Sequence, residues 1–500
     1  MGCCTRECGL IAGAVFGAAV AILGGVLIPL GNSIIEKTVE KEAVIESGTT
    51  AYDNWVAVGG TVYRQFWLFD LKNPLEVLGY GAIPVVVEKG PYTYRTRYLP
   101  KENITFNPNN TVSFLLPSGA IFEPSMSVGP EEDKVTTLNL AVAGAYSLVP
   151  KLLHAVVEKM INSSNSSLFQ RRTVKEIMWG YTDPMLSQVL ALFPNVSKQI
   201  SLLTLIHIMH KRTSSNTEIP FLPPQYNESF DGPYNVFTGK DDISKVGVID
   251  SWRGEKNLSF WDDPYCNMIN GTDASSFPPF VDKKKPLYFF SSDICRSVPA
   301  SFVENLDLLG IEVYRYSLLP DTLAAPTVNP DNQCYCKDRV VTKDCTIAGV
   351  LDISSCQGGR PIYISLPHFL YGSPFLHKMV MGLNPSEEHH FTYLDVEPTT
   401  GFTLRFAKRI QVNMMYGPSK VITVLKKVKD YTIFPLVWMN ETAALDNETA
   451  DMFKRELFSR VAMLEMIQQA LLGTGLAIFV LCLVFYCVLK RRNRNQSKFV

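Results

Sequence analysis

Two uncharged apolar runs bracket this chain. Residues 9–31, GLIAGAVFGAAVAILGGVLIPLG, and 470–489, ALLGTGLAIFVLCLVFYCVL, contain no charged side chain. Each is long enough to cross roughly 30 Å of hydrocarbon as a helix. The first is longer than the apolar core of a secretory leader, has both Arg6 and Glu7 before it and no small-x-small cleavage site after it, so it reads as a retained anchor. The second is followed by Lys490, Arg491, Arg492, Arg494 and Lys498, a basic flank of the cytoplasmic kind. The expected order is a cytoplasmic tail (1–8), a span (9–31), one exterior domain (32–469), a second span (470–489) and a second cytoplasmic tail (490–500).

Between the runs the clearest pattern has period two. In PYTYRTRY (91–98), Tyr92, Tyr94 and Tyr98 fall on one side and Thr93, Arg95 and Arg97 on the other, and GFTLRFAKRIQVNMM (401–415) alternates similarly. These predict strands of a partly solvated antiparallel sheet. Helical spacing is sparser: Leu152, Val156 and Met160, and Leu153, Val157 and Ile161, repeat at i, i+4, i+8. Segments 36–46 and 451–468 read as helices continuing out of the spans. No linker, repeat or biased stretch divides residues 32–469, so one large domain is expected. The apolar run Ile200–Met209 is too short to span a membrane and stands as a hydrophobic lip or a buried helix.

An exterior location agrees with two further patterns. Ten N-x-S/T acceptors occur, at Asn103, Asn109, Asn162, Asn165, Asn195, Asn227, Asn257, Asn270, Asn440 and Asn447, all between the runs. Of eleven cysteines, six (Cys266, Cys295, Cys334, Cys336, Cys345, Cys356) lie there too. Without a C-x-x-C knuckle they read as three disulfides and not a zinc site, with 15 connectivities open. Catalytic signatures are missing: no H-E-x-x-H, G-x-S-x-G, phosphate loop or dinucleotide glycine pattern occurs. The seven histidines, His389 and His390 included, show no ligand spacing, so neither enzyme activity nor a metal or other cofactor is expected. Gly9, Gly13 and Gly17 form a G-x-x-x-G ladder suited to close packing on the second span or on another copy of the chain.

MGCCTRECGLIAGAVFGAAVAILGG, NWVAVGGTVYRQFWLFDLKNP, EKGPYTYR, PSGAIFEPSMSVG, MWGYTDP, NMINGTDASSFPPF, FFSSDICRS, RPIYISLPHFLYGSP, GLNPSEEHHFTYLDVEPTTGFTLRFAKRIQVN and LVWMNET together resemble the class B scavenger receptors over nearly the whole chain. The resemblance implies an α+β fold: a large antiparallel β-barrel-like exterior domain with a helical cap and an internal lipid tunnel. It implies the pairs Cys266–Cys334, Cys295–Cys356 and Cys336–Cys345, with the neighbours of C-Y-C pointing the same way along a strand. It also implies S-acylation near both spans, at Cys3, Cys8 and Cys487 with Cys4 as an addition, while Leu489 replaces the family's other C-terminal thiol and Cys482 packs inside the span. The implied partners are long-chain fatty acids, oxidised lipoproteins and phospholipids, and thrombospondin-like adhesion proteins. The implied place is the plasma membrane, with its lipid rafts, reached through the Golgi.

Two alternatives carry distinct demands. A two-span ligand-gated channel needs polar pore-lining residues, and Thr474 is the main candidate in the second span. A lysosomal enzyme-transport receptor needs an acidic dileucine signal, which NRNQSKFV lacks. Charge then places the expected ligand site. Outside the tails the chain has 41 basic and 47 acidic residues, yet residues 151–175 hold Lys151, Lys159, Arg171, Arg172 and Lys175 against Glu158 alone. If this stretch is helical, Arg171 and Lys175 share a face beside the Leu152, Val156, Met160 stripe. Positive charge beside apolar surface suits an amphiphile with an anionic head. By composition it is also an ordinary solvated basic face. The resemblance favours the ligand-binding cap, although Ser163 and Asn165 stand where the family has cap lysines.

Overall fold

The structure is a computed structural model that describes residues 6–56, 61–96, 100–187, 218–219, 229–338, 340–357, 359–455 and 459–496. Tyr98, the 190–217 stretch with its apolar run, Asn195, Asn227, Cys3 and Cys4 lie outside these. The chain divides into two compact units, the two termini (1–42 with 446–500) and the body (43–445).

In the first unit, helix α1 (Arg6–Ala43) lies against the C-terminal helix Ser459–Gln496. Both contain stretches long and apolar enough to cross a membrane, Cys8–Ala43 and Met463–Arg492. Their contact is backbone to backbone. A Cβ on Gly17 would sit 2.6 Å from the Phe479 nitrogen, one on Gly24 2.6 Å from the Leu472 nitrogen, and one on Gly475 2.3 Å from the Ala21 nitrogen. The small-residue ladder therefore packs span on span, although Gly9 meets nothing within 4 Å and the functional part is Gly13, Gly17 and Gly24. The Thr474 hydroxyl bonds back to the Ala470 carbonyl at 2.5 Å, satisfied within its own helix. Gln468, buried, donates to the Leu27 carbonyl at 2.9 Å and ties the helices where the apolar contact thins.

The body follows from strands paired antiparallel. Its large sheet runs in the order β12 (Leu287–Ser291), β13 (Arg296–Leu308), β14 (Ile311–Ser317), β17 (Tyr393–Val396), β18 (Thr403–Tyr416), β19 (Thr432–Ala444), β1 (Tyr63–Leu71), β2 (Val86–Thr96) and β5 (Ala120–Phe122). β16 (Ile362–Ser365) also pairs with β18 and carries β15 (Val350–Asp352). A second sheet has the order β11 (Ile249–Trp252), β10 (Ser229–Phe237), β4 (Thr111–Ser118) and β3 (Glu102–Asn107), and two ribbons pair β6 (Lys134–Leu138) with β7 (Phe169–Thr173) and β8 (Tyr181–Thr182) with β9 (Glu218–Ile219).

The sheet is partly solvated along β2 and β18 and fully covered at its centre. Thr432 to Met439 of β19 are all buried, so both faces are covered there. Tyr92 and Tyr94 are buried as the alternation predicts, and their hydroxyls donate to Asp133 (2.7 Å) and Glu131 (2.8 Å). Thr93, on the opposite face, is buried as well, its hydroxyl donating to the Met126 carbonyl at 2.6 Å. In β18 the register shifts between Val412 and Asn413, after which Asn413 and Met414 are buried in succession, and Gln411 and Asn413 are buried polar residues of one face. Both are satisfied: Gln411 Oε1 accepts from the His368 amide at 2.7 Å, and Asn413 Nδ2 donates to the Tyr363 carbonyl and Ser365 Oγ.

The six body cysteines hold one another: Cys266–Cys334, Cys295–Cys356 and Cys336–Cys345, with Cα separations of 6.0, 6.4 and 5.8 Å. Cys334 belongs to the 3₁₀ turn Pro330–Tyr335 and not to a strand, so the C-Y-C neighbours diverge by turn geometry. The first two close loops spanning 68 and 61 residues, worth about 4 kcal/mol each in the chain-entropy model.

The glycine seam makes a direct demand. The position a Gly13 Cβ would occupy is 2.7 Å from Cys482 Sγ, so a Gly13→Cys variant is expected to cross-link to Cys482 under mild oxidant in membranes. Adding Gly17→Leu, which wedges the helices apart, abolishes the product in a non-reducing peptide map. Persistence of the cross-link in the double variant refutes the seam.

Candidate functional site: a basic and apolar end of the sheet

At the end of the large sheet opposite the one where β19 runs out to Leu445, three helices and a loop cover the strands. Helix α3 (Pro74–Tyr80) follows β1, and α4 (Leu140–Leu148) follows β6 and starts on Asn139, whose Oδ1 accepts from the amides of Ala141 and Val142. Residues Ala141 to Tyr146 of α4 are buried. Pro150 ends the run, a 3₁₀ turn Lys151–Leu153 intervenes, and α5 spans His154–Ser163. Val157, Met160 and Ile161 of α5 join Phe69, Tyr416 and Phe434 in one core.

This phase change splits the predicted stripe. Met160 is buried at 4 % exposure, whereas Leu152 is 92 % exposed and Val156 43 %. The 3₁₀ turn ahead of His154 puts Leu152 out of phase with α5, whereas Val156 and Met160 share α5 and differ because each i, i+4 step turns about 40° around the helix, which carries Met160 over to the core side. Leu152 and Val156 thus emerge beside exposed Lys151 and Lys159, an apolar patch ringed by charge.

Downstream the chain departs from a helix altogether. Gln170 to Thr173 belong to β7, opposite β6, and the capping box of Thr173 with Glu176 begins helix α6 (Val174–Trp179) one residue later. Arg171 and Lys175 are exposed but share no helix face, which corrects the i, i+4 reading. Arg172 is half-buried, its Nε donating to Gln170 Oε1 (3.2 Å), its Nη1 to Glu176 Oε1 (3.4 Å), and its guanidinium 4.1 Å above the Tyr181 ring. Its charge is already partnered within the protein.

A basic segment that sequence reading passed over takes its place. Lys420, Lys426, Lys427 and Lys429 are exposed on the loop between β18 and β19, whose Ile422 and Leu425 are buried anchors. Glu158 of α5 clamps this loop by accepting from the Thr423 amide at 2.8 Å and from the Thr423 hydroxyl. Burial acts to raise the Glu158 pKa, but the bonds from Thr423 and from Asn162 outweigh it and hold the carboxyl below its ordinary value. On the loop's other side, Gly81 caps α3 at φ 65° where a Cβ would lie 2.1 Å from the Lys427 carbonyl oxygen. Leu75 and Tyr80 of the same helix are exposed. The sequence signal was the run KVITVLKKVK, whose four lysines alternate with the anchoring apolar residues.

Two of the histidines, His368 and His390, are packed inside the body. His368 Nε2 meets Glu88 Oε2 at 2.6 Å, Trp438 Nε1 donates to the same oxygen at 2.7 Å, and His390 stacks on His368 at 4.6 Å. His368 Nδ1 accepts from the Asn384 amide, which leaves the proton on Nε2, facing Glu88. Burial tends to raise the Glu88 pKa, but the bonds from His368 and Trp438 bring it below normal. His390, 6 % exposed, is pushed down to about 4 by burial and then by His368, against an opposing pull from Glu88, with His389 and Arg409 nearby adding to the depression. Among the described residues no group of three metal-ligating side chains assembles.

Exposed acceptors Asn103, Asn109, Asn162, Asn165, Asn257 and Asn270 stand on the body, with Asn447 in the terminal unit. Asn440 is half-buried on β19, its amide donating to Gln65 Oε1 at 3.1 Å. Cys8 and Cys487 are free and exposed, and Cys482 is free and half-buried.

An antiparallel body stapled by disulfides, with an apolar helix long enough to cross a membrane at each end, is the architecture of a two-span membrane protein. The chain belongs to the CD36 family, whose model matches residues 15–486. It is 33 % identical over 463 residues to lysosome membrane protein 2 of Rattus norvegicus, covering 90 % of this chain and 88 % of that one. It is 32 % identical over 491 residues to scavenger receptor class B member 1 of Sus scrofa, covering 96 % and 89 % respectively.

The His390 shift sets a pH dependence. Its neutral form is favoured in the folded protein, so as pH falls below the ordinary 6.5 the unfolded chain takes up the proton first. Stability is complete above about pH 6.5 and declines toward pH 4, by on the order of 3 kcal/mol if the site stays buried. His390→Gln is expected to shrink the drop in thermal midpoint between about pH 7 and about pH 4.5, measured in detergent. An undiminished drop excludes His390 as its source.

Proposed function

We infer that this protein is a plasma-membrane scavenger receptor, acting as a receptor rather than an enzyme, that captures long-chain fatty acids, oxidised phospholipids and lipoproteins. It hands single lipids toward the bilayer through the tunnel that the family resemblance implies. Thrombospondin-like adhesion proteins are further partners in this reading. The observation that carries it is the pairing of exposed Leu152 and Val156 with Lys151 and Lys159, extended by the lysine loop 420–429 that Glu158 holds against α5. Apolar surface beside exposed cations fits an amphiphile whose head is a carboxylate or phosphate. Arg171 and Lys175 contribute long-range attraction, and Arg172 does not.

The reading carries its topology with it: tails 1–8 and 490–500 in the cytoplasm, spans at 9–31 and 470–489, and 32–469 outside with glycans on its exposed acceptors. Acylation of Cys8 and Cys487, and of Cys3 and Cys4, belongs to the same scheme. A lysosomal-membrane role is the second reading, favoured by the relative named lysosome membrane protein 2. Surface biotinylation at steady state separates the two.

Charge reversal tests the ligand surface. With surface expression matched, Lys151→Glu, Lys159→Glu, Lys426→Glu and Lys427→Glu together should weaken binding of oxidised lipoprotein by roughly tenfold or more, about 1.4 kcal/mol per factor of ten. The salt dependence of binding should flatten, since exposed charges are screened over about 8–10 Å at physiological ionic strength. Arg172→Glu should lower thermal stability without this change in salt response. Wild-type affinity and an unaltered salt slope in the fourfold variant refute the assignment.

A further inference from the structure

The four-stranded sheet β11-β10-β4-β3 has two unlike faces. One packs Val112, Phe114, Val236 and Ile249 into a core. Period two and the registers Ser113 with Asn235 and Asn235 with Ser251 put a set of short polar side chains on the other. Asn107, Thr111, Ser113, Asn235 and Ser251, with Asn109 at the rim, line an open groove of about 280 Å³. Its size lies below the roughly 300–1,000 Å³ of sites for drug-sized ligands, and its lining offers hydroxyls and carboxamides, so it fits one polar ring and not a lipid chain.

The polar atoms are organised. Asn107 Nδ2 donates to Thr111 Oγ1 (3.1 Å), Ser113 Oγ (3.0 Å) and Asn235 Oδ1 (3.1 Å), and Asn235 Nδ2 donates to Asp250 Oδ2 (3.2 Å). Asn107 Oδ1 and Ser251 Oγ have no hydrogen-bond partner among the described residues, which leaves an acceptor and a hydroxyl for an occupant. Asn109 sits in the turn between β3 and β4 and is the acceptor of the sequon Asn109-Asn110-Thr111. Thr111 Oγ1 donates to Asn109 Oδ1 at 2.7 Å, and Asn109 Nδ2, the atom that would carry a sugar, has no protein partner among the described residues.

We propose that this groove is the seat of the first N-acetylglucosamine of a glycan attached to Asn109, so that the modification is a packed part of the second sheet. Attachment bonds Nδ2 to the anomeric carbon of the sugar, expels the pyrophosphate of a lipid-linked donor as leaving group, and releases one Nδ2 proton. The occupant is the chain's own glycan because Asn109, which would carry it, is itself one of the residues at the rim of the groove. Asn103 supplies the internal contrast: it is exposed on β3 and outside the groove lining. The proposal rests on the exterior placement of residues 32–469.

The full chain, expressed in mammalian cells and purified in detergent, is digested with an amide-cleaving endoglycosidase under native conditions, and release is followed site by site by peptide mass spectrometry. The glycan of Asn109 should be released about tenfold more slowly than that of Asn103, because its inner sugar is exposed only by local opening. Ser251→Phe, which fills the groove from a half-buried surface position, should bring the Asn109 rate to that of Asn103 without lowering its occupancy. Free chitobiose should bind Asn109→Gln and not the glycosylated wild type. Equal release rates in the wild type, an unmodified Asn109 beside an occupied Asn103, or chitobiose binding by the glycosylated protein each overturn the proposal. Absence of glycan from every acceptor in the body overturns the exterior placement as well.

Discussion

The pairing of β18 with β19 is the contact on which the body depends. Its register runs unbroken in partners from Arg405–Ala444 to Tyr416–Thr432, apart from the one shift at Val412/Asn413. β19 continues into β1, where Trp438 stacks flat on Trp67 at 3.9 Å. A strand buried on both faces exposes no edge and must have every backbone group paired, so its neighbours are fixed in register before anything packs on them. The β-branched and aromatic run TIFPLVWM supplies such a strand.

From that ladder the ligand-facing end is built by small local decisions. The loop that joins β18 to β19 returns over the sheet with Ile422 and Leu425 buried, which forces its lysines outward. Glu158 and Gly81 fasten the loop to α5 and α3, one by hydrogen bonds and the other by leaving room. The basic surface is therefore a property of an assembled end of the sheet, and residues more than 250 apart in the chain contribute to it. The Glu88–His368–His390 group arises in the same way, from β2, the segment after β16 and the approach to β17.

Glycine works differently in the two units. Between the terminal helices it removes side chains so that backbones meet, which matters in a bilayer where apolar burial gives helices little reason to associate. At Gly81 it permits a left-handed turn and a close carbonyl together. The disulfides are confined to the region between residues 266 and 356, where they join loops and 3₁₀ turns that flank the β12-β13-β14 ladder.

Much was determined by sequence alone, and by signals that are local. Spans follow from runs of uncharged residues, because a bilayer accepts nothing else at that length, and antiparallel strands follow from period two. Six cysteines between the two apolar runs, without a C-x-x-C knuckle, read as three bonds, and the family resemblance named the same three pairs that the structure contains. Only the tertiary structure decided which side of a pattern faces the core. Thr93 alternates as a solvent residue yet is buried, because residues near Met126 cover the second face of β2. Met160 left the exposed stripe because each i, i+4 step carries the position about 40° around α5 toward the core, and Arg172 was spent on Glu176 and Tyr181 because the chain turned to strand. His368 found an acid 280 positions away. Periodicity reports the shape of one element, whereas burial, pairing and charge neutralisation depend on what another element brings against it.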